Sequence, residues 1–416
     1  MKILIIGLNY LPESTSIGPY TADLAEYLQG RGHRVQVITG FPLAPQWRIW
    51  EGYRGEWFRH EVVGGVAILR TYLYVPGKPV RAVSRILFDL SFSLSSLLGA
   101  LSTGRSDLIM VISPPLQLGL TGWLLGRLKG ARLFVHLQDL VPDAAVAVDS
   151  LREGSVSIRL AHALERFVYR RAMGIGVISE GFTRNLVGKG VPPAKITLLP
   201  NYIDLNFIRP EDRNNGFRRR QRISPDDFLV MYSGSVALKQ GLHTFVQSAA
   251  EFQPGDGVMF YLVGDGPYLP ELKARAEQLQ PADLRFLPLQ PRESLPTQLG
   301  AADALVITQR RAVTDVVFPG KLLYYMAAGR PILAAVSADS ETGRFVRDKQ
   351  VGVVVPPEDP AGLAQAVRFL HENRQEANRL GMNGRRVAEE EFDREVVLRR
   401  FTEHLERLVR SAGGGD

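Results

Sequence analysis

Apolar residues along this chain come in short β-branched bursts, separated by stretches with helical spacing, and the alternation runs from end to end. The first burst covers 2–6 and stops at Gly7. Helical spacing follows over 20–29, closed by Gly30 and Gly32, and a second burst covers 33–39. A strand, loop, helix and strand in that order predict the opening of a parallel, doubly wound sheet. More strands are predicted over 66–71, 107–112, 132–137, 174–178 and 196–199, with helices over 116–128 and 164–171. Residues 210–222 are polar and read as a linker. The series then restarts, with strands over 228–233, 258–263, 284–287, 304–308, 332–336 and 351–355, and 360–410 reads as helical and charged. The expected fold is α/β, with two Rossmann-like domains facing each other across a cleft, the usual place for a ligand. Domains are expected at 1–200 and 201–390, with a C-terminal helix, 391–416, packing back toward the first.

Several strands run into glycine turns, and these carry the candidate chemistry. Pro319 and Gly320 form a turn ahead of an apolar helix, and Lys321 stands in its first turn. Unpaired backbone N–H groups at such a helix start favour an anion. An ordinary packing helix after a Gly-Pro turn would carry the same residues. Lys239 lies in the loop 234–241, before Gln240 and Gly241, where it reads as a phosphate contact or as a solvated charge. Gly264 and Gly266 make a further turn after the strand 258–263. In the first half, Gly18 permits close approach of a ligand. The G-x-G-x-x-G spacing of dinucleotide binders is missing there, which argues against a nicotinamide enzyme.

Gln138 and Asp139 follow a strand at its carboxyl end, where open α/β sheets bind ligands. Asp139 would equally serve as a helix cap. His136 reads as a packing residue. The aromatic segment 41–60, with Trp47, Trp50 and Tyr53, suits a sugar or an amphipathic acceptor, or packs on itself.

Composition narrows the picture. The 416 residues suffice for two separate cores, and the absence of cysteine excludes disulfides and thiolate metal sites. No cysteine, and a chain that opens directly in a strand without a leader, make a cytoplasmic protein the expectation. Net charge is +7, with a pI near 9.6, which points to nucleic acid, an anionic substrate or a membrane surface. No stacking-aromatic motif accompanies the basic residues, so nucleic acid is not expected. The arginine run 218–222 reads as a solvated linker. The apolar segment 86–101, interrupted by Asp89 and serines, reads as too short and too polar to span a bilayer. With Lys78, Arg81, Arg85 and Arg105 around it, the segment suits a packing helix first and an interfacial one second, making peripheral membrane contact a further expectation.

Taken in order, these segments resemble family 4 glycosyltransferases, retaining enzymes of the two-Rossmann GT-B architecture. Residues 9–13 with Gly18, Gly32 with His33, 164–166, Ser179 with Glu180, and 199–204 match in the first half. Residues 232–235, 264–267, Ala302 with Asp303, and 326–331 match in the second. The resemblance covers nearly the whole chain. Within the family, 52–55, 138–143, 239–242 and 318–321 are similar to the branch of colanic acid fucosyltransferase and N-acetylfucosamine transferases.

The resemblance implies a nucleotide-sugar, UDP- or GDP-linked, bound on the second half, and a lipid-linked saccharide acceptor on the first. It implies hexosyl transfer with retention, without a metal or other cofactor. No Asp-x-Asp metal motif occurs, so Lys239 and Lys321 are expected to neutralise the diphosphate, and with Asp139, expected at the acceptor, they are the expected catalytic residues. Donor contacts are expected from Gly18, Ser233, Gly234, Ser235, Lys239, Gly264, Gly266 and Leu287, and from Asp315, Phe318, Pro319, Gly320, Lys321, Leu322 and Tyr324. Acceptor contacts are expected from Tyr10, Glu13, Trp47, Trp50 and Tyr53. The sequence departs from the family at its Glu-x7-Glu pair, where Val316 and Tyr324 stand, with Asp315 next to the first position. Ser235 stands where many relatives carry arginine. The other readings that share this fold are a nucleotide-sugar 2-epimerase and a non-catalytic subunit.

Overall fold

The computed structural model describes residues 1–13, 17–44, 46–77, 82–140, 155–311 and 319–411. The chain divides into two compact units: Met1–Pro200 with Leu398–Asp416, and Asn201–Val397.

Unit 1 is built on an eight-stranded sheet in the order β3-β4-β2-β1-β5-β6-β7-β8. Its strands are β1 (Lys2–Ile6), β2 (Arg34–Gly40), β3 (Phe58–Val63), β4 (Val66–Thr71), β5 (Leu108–Ser113), β6 (Arg132–Leu137), β7 (Gly174–Val177) and β8 (Ile196–Leu198). All neighbours are parallel except β3, which returns antiparallel to β4 through Gly64 and Gly65, both at positive φ. Sequence pattern predicted no β3, because the strand is half exposed and sits beside an aromatic, proline-containing stretch. The helices named below are α1 (Gly18–Gly30), α2 (Ala82–Leu101), α3 (Leu118–Lys129) and α4 (Val156–Arg171). Central strands β1 and β5 are continuous apolar runs because helices cover both faces of the sheet.

Unit 2 carries a six-stranded, all-parallel sheet in the order β11-β10-β9-β12-β13-β14. Its strands are β9 (Phe228–Ser233), β10 (Val258–Val263), β11 (Leu284–Leu287), β12 (Ala304–Thr308), β13 (Ile332–Ala335) and β14 (Gly352–Val355). Strand order reverses at β9, which lies between β10 and β12, so its carboxyl end is the topological switch point of the sheet.

The stretch 210–222 is not a solvated linker. Residues Gly216–Gln221 form α5, capped by the Asn215 side chain, and Arg218 is buried. Its guanidinium donates to the carbonyls of Ala301, Ser224 and Asp227 at 2.9–3.1 Å and to the Asp303 carboxylate. Arg213 and Arg374 donate to the same carboxylate. A charge surrounded by three cations and a backbone N–H is satisfied without water, which is why an arginine is found inside.

Helix α6 (Gly320–Ala327) opens at Pro319, and Leu322, Leu323 and Met326 enter the core of unit 2. The last helix, α7 (Arg394–Ser411), sends Leu398, Phe401 and Leu405 into the interior. Phe401 meets Phe134 of β6 edge-on at 5.5 Å, and His404 pairs with Thr197 at 2.7 Å.

Candidate functional site

At the carboxyl end of β9 the backbone turns sharply; two hydrogen bonds tie that turn to the end of β10, and a third ties the turn after β10 to β11. Gly234 N–H donates to Val263 O, Val236 N–H to Asp265 O, and Gly264 N–H to Leu287 O. The turns after β9 and β10 then touch backbone to backbone. A Cβ at Gly264 would lie 2.0 Å from Gly234 O, and one at Gly266 would lie 2.1 Å from Val236 O. Gly234 itself has φ +138°, which favours glycine.

Lys321, in the first turn of α6, reaches over this turn. A side chain at Gly234 would place its Cβ 3.3 Å from the Lys321 amine, so glycine is what admits the lysine. The amine donates to the Tyr232 phenol and lies 3.9 Å from the centre of the same ring. The Tyr232 hydroxyl in turn donates to Ser235 O at 2.6 Å. Burial, and then the nearby Lys239 charge, lower the Lys321 pKa to about 7. Burial raises the Tyr232 phenol above its ordinary value, so Tyr232 stays a neutral partner. The lysine is held by a ring face and a hydroxyl, with no carboxylate partner among the described residues.

Lys239 is exposed on a short 3-10 turn, Leu238–Gln240. Two contacts hold that turn against β12 and the residues just after it, Arg310 N–H donating to Lys239 O and the Thr308 hydroxyl to Gln240 O, while Ala237 N–H donates to the Gln240 amide oxygen within the turn. Gly241, at φ +62°, packs on the backbone of Gln309 and Arg310. Ser233 is almost enclosed. Its N–H donates to the Tyr325 hydroxyl at 3.0 Å, its carbonyl accepts from that hydroxyl at 3.1 Å, and its own hydroxyl accepts from Gln298 at 2.8 Å. Ser235 is exposed beside it.

Ser233, Gly234, Ser235, Gly264, Gly266 and Lys321 therefore gather at one strand end, with Lys239 beside them. Leu287 ends β11 on the same edge of the sheet. Pro319 and Gly320 form the start of α6, where no side chain caps the helix among the described residues. Leu322 differs from expectation: its side chain is fully buried in the core, and its N–H is bonded to Pro319 O. Tyr324 is half-buried one turn beyond Lys321. Asp315 and Phe318 lie outside the described residues. Tyr232, Tyr325 and Gln298 were not expected at the site. A buried tyrosine in a β-strand reads as core, and nothing in sequence marks where its hydroxyl goes.

In unit 1 the expected acceptor residues are built inward. Tyr10 and Glu13 are only 1% and 2% exposed. The Glu13 carboxylate accepts from Leu43 N–H and Ala44 N–H, each at 2.7 Å, and from the Asn9 amide at 2.9 Å. Three donors from two loops explain the burial of this acid and make it a clasp rather than a surface contact. Trp50 donates to Ala44 O at 3.1 Å, and Trp47 packs on Phe88 with the Arg85 guanidinium 5.3 Å from its ring. Tyr53 lies under Arg59 and the buried Arg70. The aromatic segment is thus packed partly on itself and partly on α2 and the core of unit 1. Gly18 is buried at the start of α1, where a Cβ would press on the backbone of Glu13 and Tyr10 at 3.3 Å. Asp139 follows β6. His136 is buried, and its pKa falls to about 4 through desolvation, consistent with packing. Among the described residues, no three His, Asp or Glu side chains are grouped to hold a metal.

The comparisons with known proteins agree with this division. The family described as "Glycosyl transferase 4-like domain" matches residues 15–202, and "Glycosyl transferases group 1" matches residues 214–387. A protein named as the colanic acid biosynthesis glycosyl transferase WcaI, of Escherichia coli K12, is 32% identical over 96% of this chain and 98% of its own. The glycosyltransferase WbjE of Pseudomonas aeruginosa is 24% identical over 73% of this chain and 76% of its own. Among solved structures, the sucrose-phosphate synthase of Thermosynechococcus elongatus aligns with a TM-score of 0.75 at 18% identity, covering 99% of this chain and 100% of that one. HepE of Anabaena, solved with UDP, aligns with a TM-score of 0.72 at 18% identity, covering 98% and 100%. Both share the two-domain GT-B fold.

Proposed function

The chain belongs to the glycosyltransferases that join a 4-like half to a group 1 half, and on that premise we propose a retaining hexosyltransferase. It moves fucose or a related deoxysugar from a UDP- or GDP-linked donor to a lipid-linked surface-polysaccharide acceptor, at the cytoplasmic side of a membrane. The name of the WcaI relative supports the polysaccharide setting. The UDP bound in HepE supports a nucleotide donor.

One observation carries the reading: the Lys321 amine sits at the sheet's switch point and, among the described residues, is held by a neutral phenol. Departure of a nucleoside diphosphate builds negative charge, and preorganised donors at that spot lower the barrier. The N-terminus of α6 adds ~0.3–1 kcal/mol, too little alone, so the lysines supply the larger share. Lys321 binds the diphosphate and keeps its proton in the anion's field, while Lys239 approaches from the neighbouring loop. On this reading no divalent ion is required. Asp139 is assigned to the acceptor hydroxyl.

The test is an assay of purified protein with UDP- and GDP-sugars and a membrane acceptor fraction. Acceptor-dependent release of nucleoside diphosphate is expected, and Lys321→Ala should abolish it. Epimerised donor without acceptor, or donor binding with no turnover, would overturn the proposal.

A further inference from the structure

Helix α2 is built inside out. Toward the sheet it turns Phe88 and Phe92 together with serines. Ser95 donates to Tyr72 O and to the Thr71 hydroxyl at 2.5 and 3.2 Å, and Ser91 accepts from Tyr74 N–H at 2.8 Å. Away from the sheet it presents Ile86, Leu87, Leu90, Leu94, Leu98 and Leu101, which are 47–60% exposed. At about 100° per residue these six fall within an arc of about 120°, and they run for about 22 Å. The neighbouring α3 extends the face with Leu120, Leu124 and Leu128, at i, i+4 and i+8, which are 37–62% exposed.

We propose that this leucine face of α2 and α3 is the surface by which the protein lies on an anionic lipid bilayer. The proposal deepens the reading above, which places the acceptor on a lipid, by naming the contact that brings the chain to it.

The residues favour lipid over protein. Residues 83–101 are long and apolar enough to cross a membrane by length and composition. That corrects the expectation from 86–101 alone, since the helix begins earlier, at Ala82. Even so, the serines tie α2 to the strand β4 and the loop after it, so it lies along the domain rather than leaving it. The outward arc is purely aliphatic. Protein interfaces draw their affinity from Trp, Tyr and Arg anchors, with Leu under-represented, whereas aliphatic side chains with a basic rim suit acyl chains beneath anionic headgroups. The rim is present: Arg85 is half-exposed, and Arg105 and Arg127 are exposed. The one acid of the helix, Asp89, lies off that arc, 3.5 Å from Arg85. Burial raises its pKa to about 6, and at neutral pH its remaining charge is paired with Arg85.

Co-sedimentation of the full chain with phosphatidylglycerol/phosphatidylcholine vesicles tests this, with no nucleotide or acceptor present. The parent should bind these vesicles, and pure phosphatidylcholine more weakly. L90E/L94E should lower the bound fraction at least about tenfold, and the milder L94S/L98S should lower it in the same direction. Met382→Glu, an exposed substitution in unit 2, should change nothing. Unchanged far-UV circular dichroism would show that the variants fold. Equal binding by parent and L90E/L94E, or a parent left in the supernatant, would overturn the proposal. So would a parent dimer that L90E/L94E converts to monomer without vesicle binding, because the occupant would then be a second copy. The vesicles hold no acceptor, so failure of the transfer assay and failure here are separate results.

Discussion

The Lys321 amine lies 3.9 Å from the centre of the Tyr232 ring and donates to that ring's hydroxyl, while the hydroxyl donates to Ser235 O. A cation on a π face gains about 0.5–2 kcal/mol, which offsets only part of the cost of burying it. The amine is thus held in place with no counter-charge on it among the described residues. Lys321→Met should therefore remove nucleoside diphosphate binding and leave apo stability equal or higher. Thermal shift with UDP and GDP checks both. A methionine variant still stabilised by the nucleotide that stabilises the parent would remove Lys321 from the site.

The same lysine sets a pH dependence. Its folded pKa of about 7 lies below the ordinary lysine value of 10.5. Between those values the unfolded chain binds more protons, so the apo protein gains stability as pH rises above 7 and loses it as pH falls toward 7. Binding runs the other way, because a diphosphate favours the protonated amine. At pH 8 the apo lysine is about nine-tenths neutral, so binding should take up close to one proton. Calorimetry in two buffers of different ionisation enthalpy measures that uptake. Zero uptake in the parent, or equal uptake in Lys321→Met, would refute the assignment.

Apart from the half-exposed, antiparallel β3, the strands of both sheets were legible because buried parallel strands are uninterrupted apolar runs, and 228–233, 258–263 and 304–308 needed no adjustment. The glycine turns were legible for a similar reason: Gly264 and Gly266 stand where a Cβ would strike backbone at 2.0–2.1 Å, and Gly234 has the positive φ that favours glycine. Hidden were the roles that depend on partners far away in sequence. Arg218 reads as solvent-facing until Asp303, 85 residues on, is beside it. Glu13 reads as a surface acid until two N–H groups from 43 and 44 reach it. Tyr232 is an ordinary strand residue until Lys321 arrives from α6.

Glu13 offers a test of that inward geometry. Glu13→Gln keeps the shape but sets an amide against donors that a carboxylate satisfied. The expected cost is about 1–3 kcal/mol, seen as a lower urea midpoint by tryptophan fluorescence, which reports Trp47 and Trp50 on the clasped segment. Acceptor KM should move little. A variant of parental stability with a raised acceptor KM would return Glu13 to the role of a surface contact.

Asp303 joins the separate pieces of unit 2. Its carboxylate accepts from Arg213, Arg218, Arg374 and the Leu229 N–H, from four parts of the chain. Asp303→Asn removes the one negative charge at a place where Arg218 cannot reach water, and breaking a buried pair in this way costs about 3–5 kcal/mol. Arg218→Met in the same chain should recover part of that loss, because the stranded cation is then gone. All four tryptophans, at 47, 50, 57 and 123, belong to unit 1, whereas far-UV ellipticity follows both units. In urea, Asp303→Asn should thus show an early ellipticity phase that tryptophan fluorescence does not follow, and Asp303→Asn/Arg218→Met should move that phase back toward the parent. Parental ellipticity and fluorescence curves in Asp303→Asn would mean that the three arginines are held by packing alone.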